Sequence, residues 1–409
     1  MSISESDDIY DCVIIGGGAS GLACAISTAR TYPKANILVM DRNPELGRKI
    51  LASGNGKCNI DNVNAMHFED VTTFFKSLGV IFTEPDSDGR VYPLSRQAST
   101  IRDACSKELQ RLGVKIKLCA EVKAVRIVDS STTYEIDIHD IAYIKKGKGE
   151  KERFVKADVQ GEETLYQIRT QAIVIATGGK AGPQFGCLGD GLDFAKSLGL
   201  EIIHTQPALC PLIYDDRSYN NYEKLAGVRA MGQVNLVRDG HVIYTEFGEI
   251  QFTKSGISGI CIFNVSNRYQ QGDKLVLDLA PSMTEPAIGA LLKDKKVAGL
   301  EGIVHARVAA LIYDMIGSKK AYEPLAKLVK SITIGIKGTS GWGDAQVTRG
   351  GVQMSEVLSD TFESVHHKGL YILGETLDYA GDSGGYNLDF AIYSGIVAGC
   401  HILKKDNKC

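Results

Sequence analysis

Three glycines and one carboxylate near the N-terminus have the types and spacing of a dinucleotide-binding site. Gly16, Gly18 and Gly21 directly follow the apolar run at residues 10–15, and Asp41 ends the next apolar run. In such a pattern the first glycine permits a tight turn, the second lets the backbone approach a pyrophosphate, and the third lets a helix pack closely on the strand. Helix-start N–H groups favour the diphosphate, and a carboxylate placed like Asp41 accepts hydrogen bonds from the adenosine ribose. The pattern predicts an adenine dinucleotide and does not separate FAD from NAD.

The loop that follows Asp41 is basic and rich in glycine. It contains Arg48 and Lys49, whose charges suit a diphosphate, and residues 53–57, Ser-Gly-Asn-Gly-Lys, whose backbone amides suit a flat ring. Long loops inside a compact domain are usually functional. The loop therefore predicts cofactor contacts, and an exposed solubilising loop stays open as the alternative.

A second strand, glycine loop and helix lie near the C-terminus. An apolar strand at residues 369–373 leads into a loop of glycines and carboxylates, and a helix begins at Asn387 and Leu388. A carboxylate at Glu375 or Asp382 suits the ribityl hydroxyls of a flavin. The dipole of the helix suits negative charge at the pyrimidine edge of a reduced flavin ring.

A third apolar strand, at residues 172–176, ends in Thr177, Gly178 and Gly179 and returns the chain to the dinucleotide. The two strand, glycine loop and helix units are separated by more than 350 residues. This split arrangement favours FAD over NAD. The alternative, that the C-terminal unit is only the last strand–helix unit of a sheet, stays open.

The elements that position these loops predict an α/β fold with a split Rossmann-like FAD-binding domain of the glutathione-reductase-like kind. Short β-branched runs joined by helical periodicity indicate strands buried on both faces of a sheet. Residues 200–262 show short strands and turns and predict an inserted β-barrel-like domain, whereas residues 281–330 have helical spacing. Residues 129–170 predict a long hairpin with a charged tip. The predicted domains are an FAD-binding domain at 1–190 and 345–409, a barrel-like substrate domain at 191–262 and 331–344, and a helical subdomain at 263–330.

The composition is that of an ordinary globular protein. The chain has 409 residues, of which 44% are hydrophobic and 23% charged, and its formal net charge is −3. This balance predicts neither a nucleic acid nor an anionic membrane as a partner, and no apolar run reaches the ~18 residues of a membrane-spanning helix. The acidic N-terminal residues lack the basic and apolar regions of a signal peptide, so we expect a cytoplasmic protein.

The ten cysteines form no CxxC pair, and no Cys/His cluster has zinc spacing. We therefore predict no metal site. Unpaired thiols in apolar runs suit a reducing compartment. The sequence does not predict an oligomeric state.

Seven motifs occur in an order that resembles a known bacterial group. They are Gly16-x-Gly18-x-x-Gly21, Gly47-Arg48-Lys49, Ser53-Gly54-Asn55-Gly56-Lys57-Cys58-Asn59, Ala176-Thr177-Gly178-Gly179-Lys180, Phe252-Thr253-Lys254-Ser255-Gly256-Ile257-Ser258-Gly259, Val347-Thr348-Arg349-Gly350-Gly351-Val352, and Gly374-Glu375 through Gly384-Gly385-Tyr386-Asn387. The set resembles the HI0933-like (YhiN/BaiN-like) flavoproteins, which include aminoacetone oxidases, over nearly the whole chain. The resemblance implies a split FAD domain with inserted barrel-like and helical domains, non-covalent FAD and two-electron redox chemistry. The chain departs from the group at Ile260, where proline is usual, and at Arg349, where a small residue is usual.

The residues and the resemblance together predict the cofactor-binding set. Its members are Gly16, Gly18, Ala19, Ser20, Gly21, Asp41, Arg42, Arg48, Lys49, Ser53, Gly54, Asn55, Gly56, Val122, Thr177, Gly178, Gly179, Gly374, Glu375, Asp382, Gly385, Tyr386, Asn387 and Leu388.

The leading hypothesis is an FAD-dependent oxidoreductase that carries out hydride chemistry on a small organic substrate. Two reactions fit: O2-linked oxidation of an amine such as aminoacetone, and reduction of an activated double bond with NAD(P)H as the donor. Because no second GxGxxG unit is present, we predict no separate nicotinamide domain, and transient binding of NAD(P)H stays open.

The catalytic residues are not identified by the sequence, and Tyr386, Arg349 and Lys57 are the candidates that loops place near the ring. The alternative from another class is a non-enzymatic flavin-binding redox sensor or assembly protein. A flavoprotein acting on tRNA is disfavoured by the net acidic charge and by the lack of a basic stripe.

Overall fold

The computed structural model describes residues 9–128, 133–147, 153–157, 165–295, 297–316 and 322–404. These residues form two compact units. The first comprises Met1–Gln206 and Val347–Cys409, and the second comprises Pro207–Gln346. The first unit thus contains both glycine loops, and the second contains the predicted barrel and the helical segment. The finer division into three domains stays a prediction.

The strands are β1 Ile9–Ile15, β2 Ile37–Met40, β3 Asp61–Asn62, β4 Arg90–Val91, β5 Lys115–Lys117, β6 Ala120–Val128, β7 Thr133–Asp140, β8 Tyr143–Lys146, β9 Arg153–Lys156, β10 Leu165–Ile175, β11 Ile202–Ala208, β12 Leu212–Tyr214, β13 Arg229–Arg238, β14 His241–Phe252, β15 Gly256–Ser258, β16 Lys274–Asp278, β17 Ile332–Thr339, β18 Val347–Val352 and β19 Leu370–Ile372. The α-helices are α1 Ala19–Thr31, α2 Arg48–Ala52, α3 Phe68–Ser77, α4 Ala98–Arg111, α5 Asp190–Ser197, α6 Asp216–Tyr222, α7 Ile260–Ser266, α8 Glu285–Lys295, α9 Val297–Glu301, α10 Ala306–Ile316, α11 Tyr322–Lys330 and α12 Tyr386–His401.

The main sheet of the first unit is built around β1. In the described part of the chain its strand order is β5-β2-β1-β10-β7-β6, and β19 also pairs with β10. Strands β2 and β10 run parallel to β1, β19 runs parallel to β10, and all four residues of β2 are buried. Such continuous apolar burial is typical of parallel strands covered on both faces. The predicted split Rossmann-like α/β fold is confirmed.

The two ends of the chain meet where α12 packs on α1. A Cβ atom added to Gly395 would lie 2.2 Å from the carbonyl oxygen of Ser20, and one added to Gly399 would lie 2.6 Å from that of Cys24. Two small residues on α12 therefore let the backbones of the two helices approach closely. This contact places the loop before α12 beside the turn before α1.

The second unit is formed by a closed barrel and helices. Among the described residues the barrel order is β12-β15-β14-β13-β16-β17, and β17 pairs back onto β12. Its core is apolar and continuous with that of the helices, because buried residues such as Leu277 of β16 and Ile288 of α8 belong to one cluster. Strand β16 lies inside the range predicted as helical, at residues 263–330.

Three short helices differ from the sequence prediction. The segment after Asp41, predicted as a loop, contains α2, and residues 200–262, predicted without helices, contain α6 and α7. Helices of five to seven residues are too short to show a clear apolar period. A local signal existed for α6, because the Asp215 carboxylate accepts a hydrogen bond of 2.7 Å from the Ser218 N–H as an N-cap.

The hairpin predicted at residues 129–170 is present in the described residues. Strand β7 pairs antiparallel with β10, and the short pair β8–β9 extends beyond them. Residues 148–152 of the predicted charged tip lie outside the described residues.

Candidate cofactor site

The turn between β1 and α1 has the geometry that its glycines predict. Gly16 has a φ of 110°, and a Cβ atom there would lie 2.3 Å from the carbonyl oxygen of Ala176. A Cβ atom at Gly21 would lie 1.9 Å from the carbonyl oxygen of Gly16, whereas one at Gly18 would meet nothing within 4 Å. Gly16 and Gly21 thus serve the turn and the close packing, and Gly18 leaves open space beside the start of α1. Ala19 and Ser20 are the first residues of that helix.

Asp41 is held in place by three hydrogen bonds. Its Oδ2 accepts 2.8 Å from the Gly17 N–H, and its Oδ1 accepts from the N–H and the side-chain amide of Asn43, at 2.7 and 2.9 Å. Burial raises the pKa of Asp41, and these hydrogen bonds act in the opposite direction. The carboxylate is therefore fixed at the end of β2, next to the glycine turn. Asn43 was not predicted as a site residue, although an amide two residues after the acid is a local signal.

The predicted ribityl carboxylate, Glu375, joins two distant segments. Its Oε2 accepts 2.7 Å from the Lys49 Nζ, and its Oε1 accepts 3.0 Å from the Thr348 N–H. Burial lowers the pKa of Lys49 and the Glu375 charge raises it, with a net increase. Lys49 therefore stays charged beside this carboxylate.

The Thr177-Gly178-Gly179 loop reaches the same place. A Cβ atom at Gly179 would lie 2.2 Å from the Thr348 Oγ1, and the Thr376 Oγ1 donates 3.3 Å to the Gly178 carbonyl. The Thr348 Oγ1 accepts from the Lys180 N–H at 2.8 Å. Thr348 is a site residue that sequence reasoning missed, although the motif around residues 347–352 contained it.

Two predicted cations, Arg42 and Arg48, have protein partners. Arg42 forms ion pairs with Glu121 and Asp190, and the Arg48 Nη1 donates 2.8 Å to the Asn43 Oδ1. Arg48 is thereby linked through Asn43 to the ribose-end carboxylate, while Arg42 is tied to β6 and α5.

Val122, the predicted contact on β6, lies beside an irregularity in the strand. The register with β7 shifts between Val122 and Ala124, so that Lys123 is the extra residue. Val122 itself is buried.

The loop predicted to lie against a flat ring is a tight turn after α2. Gly54 and Asn55 both have positive φ, 55° and 54°, within the short 3-10 segment Ser53–Gly56. The Ser53 Oγ donates 2.6 Å to the Ile50 carbonyl and anchors the turn. Lys57, a catalytic candidate, is exposed at its end.

The C-terminal loop closes on itself through Asn387. The Asn387 side chain accepts 2.9 Å from the Gly381 N–H, donates 2.9 Å to the Gly381 carbonyl, and donates 3.3 Å to the Asp382 carbonyl. Its role in the structure is to shape the loop. Tyr386 and Leu388 occupy the first turn of α12, and all three residues are half-buried.

Gly374, at the start of this C-terminal segment, lies next to the N-terminal helix. A Cβ atom at Gly374 would lie 2.8 Å from the Ser20 Oγ, and its N–H donates 3.0 Å to the Ser394 Oγ. The catalytic candidate Arg349 lies on β18 and hydrogen-bonds to Gln206. The structure thus brings the predicted segments of the first unit together.

Sequence reasoning also missed the strand that supports the C-terminal loop. The Asn62 side-chain amide donates 3.0 Å to the Gly384 carbonyl, and a Cβ atom at Gly385 would lie 2.5 Å from the Asp61 carbonyl carbon. Strand β3 is therefore the platform of the loop. The polar residues Asp61 and Asn62 gave no apolar signal, and their burial comes entirely from the fold.

The described residues contain neither a cluster suited to a metal ion nor a helix suited to a membrane. No group of three or more His, Cys, Asp or Glu side chains is arranged to hold a metal ion. In the same residues, no helix combines the length and the apolar character needed to cross a membrane.

A family model decides the relationship of the chain to known proteins. The HI0933-like protein Rossmann domain matches residues 63–401, and an NAD(P)-binding Rossmann-like domain matches residues 14–70. The chain belongs to the HI0933-like family. The predicted resemblance is confirmed.

Three characterised proteins are similar to this HI0933-like chain along nearly its whole length. The 3-dehydro-bile acid delta(4,6)-reductase of Clostridium scindens is 31% identical, over 94% of the chain and 97% of the reductase. The ribosomal RNA dihydrouridine synthases of Haemophilus influenzae and Escherichia coli are 28% and 26% identical, over 96% and 93% of the chain and 98% and 95% of their own lengths. The HI0933-like chain is an FAD-dependent oxidoreductase, as predicted.

Proposed function

We propose that the chain binds FAD non-covalently and reduces a carbon–carbon double bond conjugated to a carbonyl group in a small organic molecule. NAD(P)H, bound transiently, is the proposed electron donor. The observation that supports this choice is the shared chemistry of the similar proteins. A delta(4,6)-reductase saturates ring double bonds, and dihydrouridine is uridine with its ring double bond saturated.

The glycine turns and the fixed carboxylates fit FAD. The open space at Gly18 suits the diphosphate beside the start of α1, and Asp41 suits the adenosine ribose. Lys49 and Glu375 suit the diphosphate and the ribityl chain, and Val122 suits the adenine. The remaining predicted residues of the glycine loops belong to the same proposed site.

An unsatisfied acceptor supports a ring at the other end of the site. Asn59 Oδ1 is buried and has no donor among the described residues. A buried acceptor without a donor is costly, so a ligand donor is expected. Asn59 follows the 3-10 turn, and a Cβ atom at Gly54 would lie 2.8 Å from its N–H nitrogen. The N3–H of a flavin ring is a donor of the required kind.

Once reduced, bound FAD supplies a hydride to one carbon of the double bond. The other carbon then takes a proton, so that one hydride and one proton add across the double bond. Negative charge develops on the conjugated carbonyl oxygen during this step, and a fixed cation stabilises it. We assign this role to Arg349, which Gln206 holds on β18, and we assign the proton-donating hydroxyl to Tyr386.

The first experiment follows product formation under anaerobic conditions. Holoprotein with NADPH or NADH is offered a 3-oxo-4,6-diene steroid, and mass spectrometry is used to look for a product heavier by two hydrogens. We expect deuterium carried by the nicotinamide to appear in the product of the holoprotein and not in that of the flavin-free protein. A flavin that both nicotinamides leave oxidised, and that air reoxidises quickly after chemical reduction, would contradict the proposal and favour oxidation of an amine such as aminoacetone.

A second candidate is reduction of a uracil ring within RNA, which the two dihydrouridine synthases favour. The same assay with ribosomal RNA fragments as substrate distinguishes it. Dihydrouridine in the RNA, with no saturation of the steroid, would replace the small-molecule substrate by RNA. If the substrate is a small molecule, we expect saturation of the steroid and no dihydrouridine in the RNA.

A further inference from the structure

The most unusual buried polar group of the first unit is a pair of aspartates, Asp61 and Asp389. Asp61 has 0% of its surface exposed and Asp389 has 2%. Asp61 belongs to β3, and Asp389 lies in the first turn of α12. Strand β3 packs against α12, and the two carboxyl groups lie close enough to act on each other.

A hydrogen bond between the carboxyl groups of Asp61 and Asp389 requires a proton on one of them. Two ionised carboxylates can only accept, and the Asp61 Oδ2 and the Asp389 Oδ1 have no donor among the described residues. Other donors serve the opposite oxygens, because the Asp61 Oδ1 accepts 2.7 Å from the Asn62 N–H and Asp389 accepts from the His67 N–H. Like charges in contact at a buried site cannot both ionise.

The surroundings do not supply an alternative cation to the pair. Asp70 on α3 adds negative charge near Asp389. The ring of His67, just before that helix, is stacked on the ring of Tyr393, with 3.5 Å between the ring centroids. Burial lowers the pKa of His67, which keeps the ring neutral. Arg90 of β4, which pairs with β3, forms an ion pair of 3.0 Å with Asp88.

Three further ionisable groups belong to the C-terminal segment that contains Asp389. These are Tyr379, whose pKa burial raises and on which Asp389 acts by its charge, together with Asp382 and Tyr386. None of them brings a positive charge. Burial is also the largest cause that raises the pKa of both Asp61 and Asp389.

The pair lies at the point where the C-terminal loop is supported. The main chain of Asp61 contacts Gly385, which has a φ of 112°, and Asn62 donates to Gly384. Any change in the distance between β3 and α12 therefore moves residues 384–387. This loop contains Tyr386, to which the proposed function assigns the proton-donating hydroxyl.

We propose that Asp61 and Asp389 share one proton, and that this proton holds the loop at residues 384–387 in the conformation that binds FAD. The two aspartates are positioning residues, because they act on the cofactor through the loop. The inference rests on the proposed FAD site and adds a proton-dependent device to it.

The sign of the pH dependence follows from the raised pKa values. A carboxyl group whose pKa is raised in the folded state stabilises the folded state at a pH below its ordinary pKa. That stabilisation is lost as the pH rises through the folded-state pKa. Wild-type protein should therefore have a lower melting temperature and weaker FAD binding in alkaline solution than in mildly acidic solution.

The test replaces the shared proton by a fixed donor. In Asp61→Asn the amide donates to Asp389 at every pH, and Asp389→Asn is the second variant, in case the first fails to fold. The control is Asp103→Asn on α4, where the Asp103 side chain is half-exposed and pairs with Arg102. Between about pH 5 and about pH 9, we expect the FAD dissociation constant of wild type and control to rise about tenfold or more, and that of the Asn variants by less than about twofold.

Melting temperatures of the FAD-free proteins and infrared spectra are read in parallel. We expect a protonated-carboxyl band in wild type at neutral pH that is missing from both variants. Equal pH slopes in wild type and variants, or FAD binding that does not change with pH, would overturn the inference. A rise in the alkaline melting temperature on adding Na⁺ or Ca²⁺, seen only in wild type, would assign a cation in place of the proton and also overturn it.

The failure of this inference and of the proposed function are distinguishable. A protein whose FAD affinity depends on pH as expected, but which saturates no double bond, would contradict only the proposed reaction. A working reductase whose FAD affinity is independent of pH would contradict only the shared proton.

Discussion

At the adenosine end of the candidate site, Asp41 receives hydrogen bonds on both of its carboxylate oxygens. At the ring end, Asp61 and Asp389 each keep one buried oxygen without a donor among the described residues. The adenosine end is assembled within one local strand–turn–helix–strand unit, whereas the ring end joins segments that are more than 300 residues apart. The first is preformed for its ligand, and the second depends on a proton and on tertiary packing.

The largest expected effects come from two glycines of the first turn, one of which serves the fold and the other the cofactor. In Gly21→Ala the new methyl group would lie 1.9 Å from a backbone oxygen, so we expect the free energy of unfolding to fall by about 3 kcal/mol or more. In Gly18→Ala the methyl group meets no protein atom, so we expect a stable fold with FAD affinity reduced at least tenfold. Thermal melting and FAD titration of both variants test this pair. Equal loss of stability in the two would contradict the separate roles of the glycines.

The next effect concerns the reaction. Arg349→Ala should lower kcat/KM for the conjugated substrate by about 10² to 10³, because a cation that stabilises developing negative charge is lost. Arg349→Lys, which keeps the charge, should retain more activity, and neither variant should change FAD affinity. Steady-state kinetics with separate kcat and KM values provide the measurement. An unchanged kcat with a raised KM would instead make Arg349 a ground-state binding residue.

A smaller effect is expected at the junction of the two ends. Glu375→Ala leaves Lys49 without its partner and frees the Thr348 N–H, which should cost about 1–3 kcal/mol of unfolding free energy and weaken FAD binding. Ion pairs near the surface contribute much less to the free energy of unfolding. Lys117→Ala, the control, removes such a pair with Asp140, and we expect it to lower the free energy of unfolding by less than about 1 kcal/mol. Chemical denaturation measures both. Similar costs in the two variants would show that the junction is not a structural link.

The smallest expected effect is a pH dependence of opposite sign at the ion pair between Arg30 of α1 and Glu108 of α4. Hydrogen bonds from Arg111 and Arg30, with their charges, lower the pKa of Glu108 to about 2. A lowered carboxyl pKa stabilises the fold above the ordinary value, and this stabilisation is lost as the pH falls through about 2. Glu108→Gln should therefore flatten the acid side of the stability profile and leave the alkaline side unchanged. A change on the alkaline side would contradict the assignment of that side to Asp61 and Asp389.

The same contrast explains what the sequence could predict. The turn from Gly16 to Gly21 and the acid at Asp41 are local, so their geometry followed from spacing alone. The sheet was predictable because apolar runs such as Ile37–Met40 are buried on both faces. These features depend on neighbours in the sequence.

The missed features depend on neighbours in space. Asp61 and Asn62 form a polar two-residue strand whose burial is imposed by α12, and Asp389 looks like an ordinary exposed acid in a helix. No spacing rule within one segment predicts such contacts.

The most direct test of the central claim is rapid mixing of the reduced holoprotein with one oxidant at a time. The protein is reduced anaerobically with NADPH, and flavin absorbance is followed after addition of a conjugated enone or of air-saturated buffer. The proposed function predicts fast reoxidation by the enone, with one equivalent of saturated product per flavin, and slow reoxidation by air. Fast reoxidation by air with none by the enone would contradict it.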